Sequence, residues 1–213
     1  MARNVILAFL YLLLWSVSHS VAADLNSQVR TLLGPPVQTE RLRALGPGVM
    51  PVMAQIYQGS DEKERTGIAS AFYQLGWPSQ DAYQALIQDI RTTNPELRLQ
   101  VQWALGKVSG EDEVVDTLLE IMRNDKSALF RDKAACALAY DQVHLNEEQK
   151  AELYSGLIDG LSDPKPQVRK ISLQALKIHT GQTKGFSPVA SESQRARSVQ
   201  AWQEWLAEYR ANL

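Results

Sequence analysis

Leu161-Ser162-Asp163-Pro164-Lys165-Pro166-Gln167-Val168-Arg169-Lys170-Ile171-Ser172-Leu173-Gln174-Ala175-Leu176 decides how the whole chain is read. An Asp-Pro stop leads into Val-Arg and then an amphipathic helical run. Echoes of this pattern recur upstream. Ala44-Leu45, Gln74-Leu75, Ala104-Leu105, Ala137-Leu138 and Ala175-Leu176 fall into register, with spacings of 30, 30, 33 and 38 residues. A helical unit repeated at that period predicts an all-α solenoid of about five hairpins, which builds a surface before it builds a pocket.

Each unit reads as helix, turn, helix. Unit one is Thr39–Leu45 and Gly48–Tyr57; unit two is Asp61–Leu75 and Ser79–Arg91. In unit three Asn94-Pro95-Glu96 starts a helix: Asn caps, Pro takes the first turn, and Glu meets the positive dipole end. Ser109-Gly110 ends that helix, and Val114, Leu118, Ile121 and Met122 form the apolar face of the next. Unit four runs from Ser127 to Tyr140 and from Asn146 to Leu161, with Asn146 and Gln149 spaced as a capping box. Unit five opens at Pro164 and ends near His179. Gly46, Gly76 and Gly106 each follow the register Leu, which suits a left-handed helix C-terminus. A short helix over Asp24–Leu33 precedes the repeats.

After the link Thr180–Pro188, Ser191 and Gln194 form a second capping box opening a last helix to about Arg210. Val199, Trp202, Trp205, Leu206 and Tyr209 recur on one face of it, so it is expected to cap the final repeat as an aromatic lid. The units are 24–181 and 182–213, after an N-terminal segment 1–23.

That segment has the three parts of a secretory signal peptide. Arg3 supplies the positive charge, Val5 to Val17 the apolar run, and Ser18–Ala23 the small residues before a cut after Ala23. Thirteen residues are too few for a bilayer core, which takes about 20. Periplasmic or secreted localisation is expected, with membrane contact only if the segment is kept as an anchor.

Apolar residues make up 45% and charged residues 22%, a globular composition. Net charge is −2, and −3 after cleavage, which argues against a nucleic-acid partner. Cys136 is the one cysteine, so no intrachain disulfide can form; its apolar neighbours make it a core residue. His144 and His179 are isolated, and a metal site needs several ligands at suitable spacing. No Gly-rich phosphate loop, Gly-x-Ser-x-Gly elbow or His-Glu-x-x-His motif is present. The expectation is no metal, no cofactor and no catalysis.

The residues resemble HEAT-type repeats, in particular the short, bilin-lyase-like variety. HEAT repeats carry an Asp and, six positions later, an Arg whose side chains form a ladder between units. Asp125 and Arg131 have that spacing, as do Asp163 and Arg169. Unit three keeps Arg98 but has Thr92 at the Asp position, and unit two has Ile68 where the Arg falls. The tail from Thr180 to Trp205 resembles the ending of exported bacterial HEAT-repeat proteins. The resemblance implies a right-handed stack with second helices lining a concave face. It also implies a non-catalytic role in protein binding or scaffolding, here in a bacterial envelope. The alternative it carries is an accessory or lyase-like protein with a small molecule in a helical cleft. Hydroxylases of this type carry repeated His-Glu pairs, and this chain has none.

On that reading Asp125, Arg131, Asp163 and Arg169 are a structural ladder, because buried charges persist only when paired. Function is expected on the second helices, opposite their apolar stripes: Gln84, Gln88 and Arg91 in unit two; Asp116, Glu120 and Arg123 in unit three; Glu152, Ser155 and Asp159 in unit four. Such a face is polar with an acidic centre, fitted to a basic or polar peptide segment of a partner.

Overall fold

The computed structural model describes residues 24–213. The expected signal peptide, 1–23, lies outside them. Helix α1 covers 24–33. It is followed by α2 (Thr39–Ala44), α3 (Val49–Gln58), α4 (Glu62–Leu75), α5 (Gln80–Ile87), α6 (Pro95–Val108) and α7 (Asp112–Asn124). Then come α8 (Ala128–Tyr140), α9 (Glu147–Gly160), α10 (Pro166–Thr180) and α11 (Glu192–Ala211). No strand occurs among the described residues.

The caps set the boundaries. Asp61 accepts from the Glu64 N–H, Ser79 from Ala82, and Asn94 from Glu96 and Leu97, each satisfying a first-turn donor. Asn146 with Gln149 and Ser191 with Gln194 both close reciprocal capping boxes. Unit five begins later than expected, at Pro166, because Pro164 lies in the turn that Asp163 organises by accepting the Lys165 N–H. The second helix of unit two is shorter than expected, ending at Ile87.

The helices form two rows. In the first, α2 packs on α4, α4 on α6, α6 on α8 and α8 on α10. In the second, α3 packs on α5, α7 on α9 and α9 on α11. The rows join where α3 meets α4, α5 meets α6, α7 meets α8 and α9 meets α10. One cluster of buried side chains runs from Val29 to Leu206 between them. No hairpin could bury its apolar stripe alone, which is why the core is continuous. This is an all-α solenoid of five hairpins.

The last hairpin is α10 with α11. The expected lid is therefore the second helix of unit five: α11 caps the stack from within the second row, on α9. Trp202 is fully buried, and Trp205 packs on it with ring centroids 5.4 Å apart. Tyr154 of α9 meets both Trp205 and Tyr209 at 5.5 Å.

Gly106 departs from expectation. Gly46 and Gly76 adopt positive φ, 82° and 66°, and end their helices as anticipated. Gly106 lies inside α6, and a Cβ there would sit 2.7 Å from the Asp141 carbonyl. The position is small because the turn after α8 packs directly onto α6. Gly106→Ala should cost about 1–3 kcal/mol in overpacking, offset by about 1 kcal/mol of helix propensity. The expected result is a lower denaturation midpoint; an unchanged midpoint would refute the packing argument.

Candidate functional site

Two sets of polar residues recur along the stack, one inside the joints and one on the second-row face. The joints fix the face.

Four arginines near the starts of α4, α6, α8 and α10 do the same work. Each bonds carbonyls of the turn before its own helix: Arg65 to Ser60 (3.0 Å), Arg98 to Ile90 (3.3 Å), Arg131 to Asp125 (2.6 Å), and Arg169 to Asp163 and Pro164 (both 2.9 Å). Each also reaches forward to the next joint. Arg65 pairs with Asp89 at 2.9 Å, and Arg98 with Asp125. Arg131 donates to Gln167 at 2.6 Å, and Arg169 donates twice to the Pro188 carbonyl at 2.8–2.9 Å.

This corrects the expected ladder in two ways. Within a unit, Arg131 meets Asp125, and Arg169 meets Asp163, through main-chain carbonyls rather than carboxylates. The carboxylate of Asp125 belongs to the preceding unit's Arg98. Asp163 has no such partner, because Gln167 takes Arg131 instead. The other correction concerns unit two, where the sequence showed no Arg. Arg65 and Asp89 supply the rung, each three residues before the expected Ile68 and Thr92. For Arg65, three residues is close to one turn of α4, so the side chain stays near the same face; Asp89 meets it from the turn after α5. Ile68 is core.

Asp125 shows the electrostatics. Burial opposes its charge, but the Arg98 guanidinium, the Ser127 N–H and the nearby Arg131 outweigh that and hold its carboxyl below the ordinary range. Arg98 also stacks 3.9 Å from the Phe130 ring centroid.

The two histidines act at helix C-termini. His144 Nε2 lies 2.7 Å from the Lys107 carbonyl and 3.3 Å from that of Gly76. His179 Nε2 lies 2.9 Å from the Leu138 carbonyl. All three partners are acceptors, so Nε2 carries the proton in each ring. Burial lowers the His179 pKa. Among the described residues no group of three or more His, Cys, Asp or Glu is placed to hold a metal ion.

On the second row, side chains tie neighbouring helices together. The Tyr57 hydroxyl on α3 donates to Asp89, Tyr83 on α5 to Glu113 of α7, and Tyr209 on α11 to Glu147 of α9. The bond to Glu113, with burial, pushes the Tyr83 hydroxyl up to about 12. Gln149 bonds Asp112 at 2.8 Å, and Leu119 of α7 fills the space where a Gly156 side chain would stand on α9. These contacts bring the three expected residue sets side by side, although Gln88 and Arg91 lie in the turn after α5 rather than on it.

The sets are not equally free. Arg91 pairs with Glu120, and Glu152 with Arg210 of α11 at 2.9 Å. The Arg123 carbonyl accepts from Lys165 at 2.8 Å. Gln84 and Gln88 are exposed and Ser155 is half-buried. Asp116 and Asp159 are exposed and form no ion pair among the described residues. The sequence reading missed the contributions of Arg210 and Glu147, which depend on where α11 docks.

No curated protein matches the chain. A solved structure of an engineered protein, from the Northeast Structural Genomics Consortium, aligns with a TM-score of 0.48 and 17% identity, covering 87% of this chain and 97% of that one. Residues 50–139, from α3 to α8, match a family model described as HEAT repeats.

Proposed function

We propose that this chain is a non-catalytic protein-binding or scaffolding protein of the bacterial envelope, exported by residues 1–23 and acting in the periplasm or outside the cell. HEAT repeats generally mediate protein–protein interaction or scaffolding. The observation that supports this reading is the second-row face itself. It is one surface spread over α5, α7, α9 and α11. Lateral pairs such as Arg91–Glu120 and Glu152–Arg210 hold its helices in place. They also neutralise much of its charge, leaving Asp116 and Asp159 as the acids available to a partner.

A basic or polar peptide segment is the occupant that fits. Its affinity should fall with added salt, because exposed pairs are screened within about 8–10 Å at physiological strength. Asp116→Lys with Asp159→Lys should abolish salt-sensitive capture of the partner from the envelope fraction while leaving the melting temperature unchanged. Both acids are exposed and unpaired, so a loss of capture would not reflect a loss of fold. Capture indifferent to both changes would remove this face as the binding surface.

A further inference from the structure

The first row ends with one flank uncovered. Helices α4, α6 and α8 each pack between two first-row neighbours, while α10 packs on α8 alone in that row. On its other side α10 meets the chain's own link, and a groove of about 590 Å³ runs between them. Pro166 and Leu173 of α10 form one wall, and Pro188 and Val189 the other. Val189 is 84% exposed. Lys170 and Lys177 stand along the groove, seven residues and about 10 Å apart on the helix axis. Neither forms an ion pair among the described residues.

The charge around this groove runs against that of the chain. The charged residues lining it are Lys170 and Lys177, with no acid among the lining residues, within a protein of net charge −2. Arg169, buried beside the groove, bonds neutral carbonyls rather than a carboxylate, so no acid is drawn in to offset the lysines. A positive field around an apolar trough selects a partner that is acidic at its margins and apolar along its centre.

We propose that this groove docks an acidic amphipathic helix of a partner protein, laid along α10 as the next member of the first row. The groove lies along α10, which has no first-row neighbour beyond α8, and this favours a helix over an extended strand or a nucleic acid. A second copy docking by its other end fits less well: residues 24–44 hold three arginines against two acids, so that end is not complementary. The groove lies on elements that do not carry Asp116 or Asp159, so this proposal stands apart from the second-row reading.

The test uses the full chain and a synthetic amphipathic helical peptide with Leu along one face and Glu on both margins. Its counterpart has Lys in place of Glu. Fluorescence anisotropy should show binding of the Glu peptide and none of the Lys peptide. Lys170→Glu with Lys177→Glu should weaken binding by about tenfold or more, since like charges then face each other. Val189→Asp, at an exposed position, should weaken it independently. Asp116→Lys with Asp159→Lys should leave it unchanged. The proposal is overturned if the Glu peptide does not bind, or if it binds the charge-reversed variant as well as the parent. It is also overturned if the lysine changes act only on self-association, or only on binding to phosphatidylglycerol vesicles.

Discussion

Arg98→Ala should destabilise the stack by about 3–5 kcal/mol, because it strands a buried carboxylate. The side chains of Arg98 and Asp125 are each 11% exposed. Removing the guanidinium also takes away the stacking on Phe130 and the bond to the Ile90 carbonyl. The same change at Arg131 should cost less, since its forward partner is the neutral amide of Gln167. Chemical denaturation of both variants checks the order; equal losses would refute the charge argument. The pH dependence gives a second check. In the parent, Asp125 titrates below its unfolded value. Its stabilisation is therefore in place above about pH 4 and is lost as pH falls through the folded pKa. Without Arg98, the hydrogen bond and charge that lower that pKa most directly are gone, and it should rise towards its unfolded value. The difference between parent and variant should then be largest at neutral pH and shrink in acid, as protonation relieves the stranded charge.

Trp202→Ala should cost a similar amount, about 3–5 kcal/mol, through the cavity left by the largest fully buried side chain among the described residues. The loss falls on α11. With Trp202 gone, Trp205 loses its edge contact, and α11 is left on α9 through the Tyr154 contacts to Trp205 and Tyr209 and the exposed bonds from Tyr209 and Arg210. Proteolysis of the link before α11 should accelerate as the midpoint drops. Trp202→Phe is the informative companion. The indole N–H is buried with no hydrogen-bond partner among the described residues, so phenylalanine removes an unsatisfied donor along with some volume. It should cost clearly less than alanine. A midpoint as low as that of the alanine variant would show that the indole N–H has a partner after all.

Local features of this fold were legible because their partners lie close in sequence. A cap needs a side chain and an N–H two or three residues away, and Asn94, Asn146 and Ser191 all act as read. The repeat period was legible for the same reason, since each unit carries its own apolar stripe. What escaped was anything reaching one unit further. Asp125 and Arg131 sit at ladder spacing, but only the packed structure shows that the carboxylate goes to Arg98, 27 residues back. A search at fixed spacing passed over Arg65 and Asp89, which shift together by three residues and still meet. Gly106 follows the register Leu as Gly46 and Gly76 do, yet it serves a contact with Asp141 that no local pattern records. On the second-row face, the chosen residues proved to be neighbours. Their charges could not be counted, because Arg91–Glu120 and Glu152–Arg210 cancel across 29 and 58 residues.

The bond between Arg169 and Pro188 bears on how the molecule ends. In earlier units the forward arm of the arginine fork is taken by the next repeat. A terminal fork left open would be a socket for another molecule's turn, and contacts of that head-to-tail kind propagate into filaments when they do not close into rings. Here the chain folds its own link back and fills the socket with the Pro188 carbonyl. The link therefore stands in for the following turn that each earlier joint uses, and the last arginine is satisfied from within its own chain.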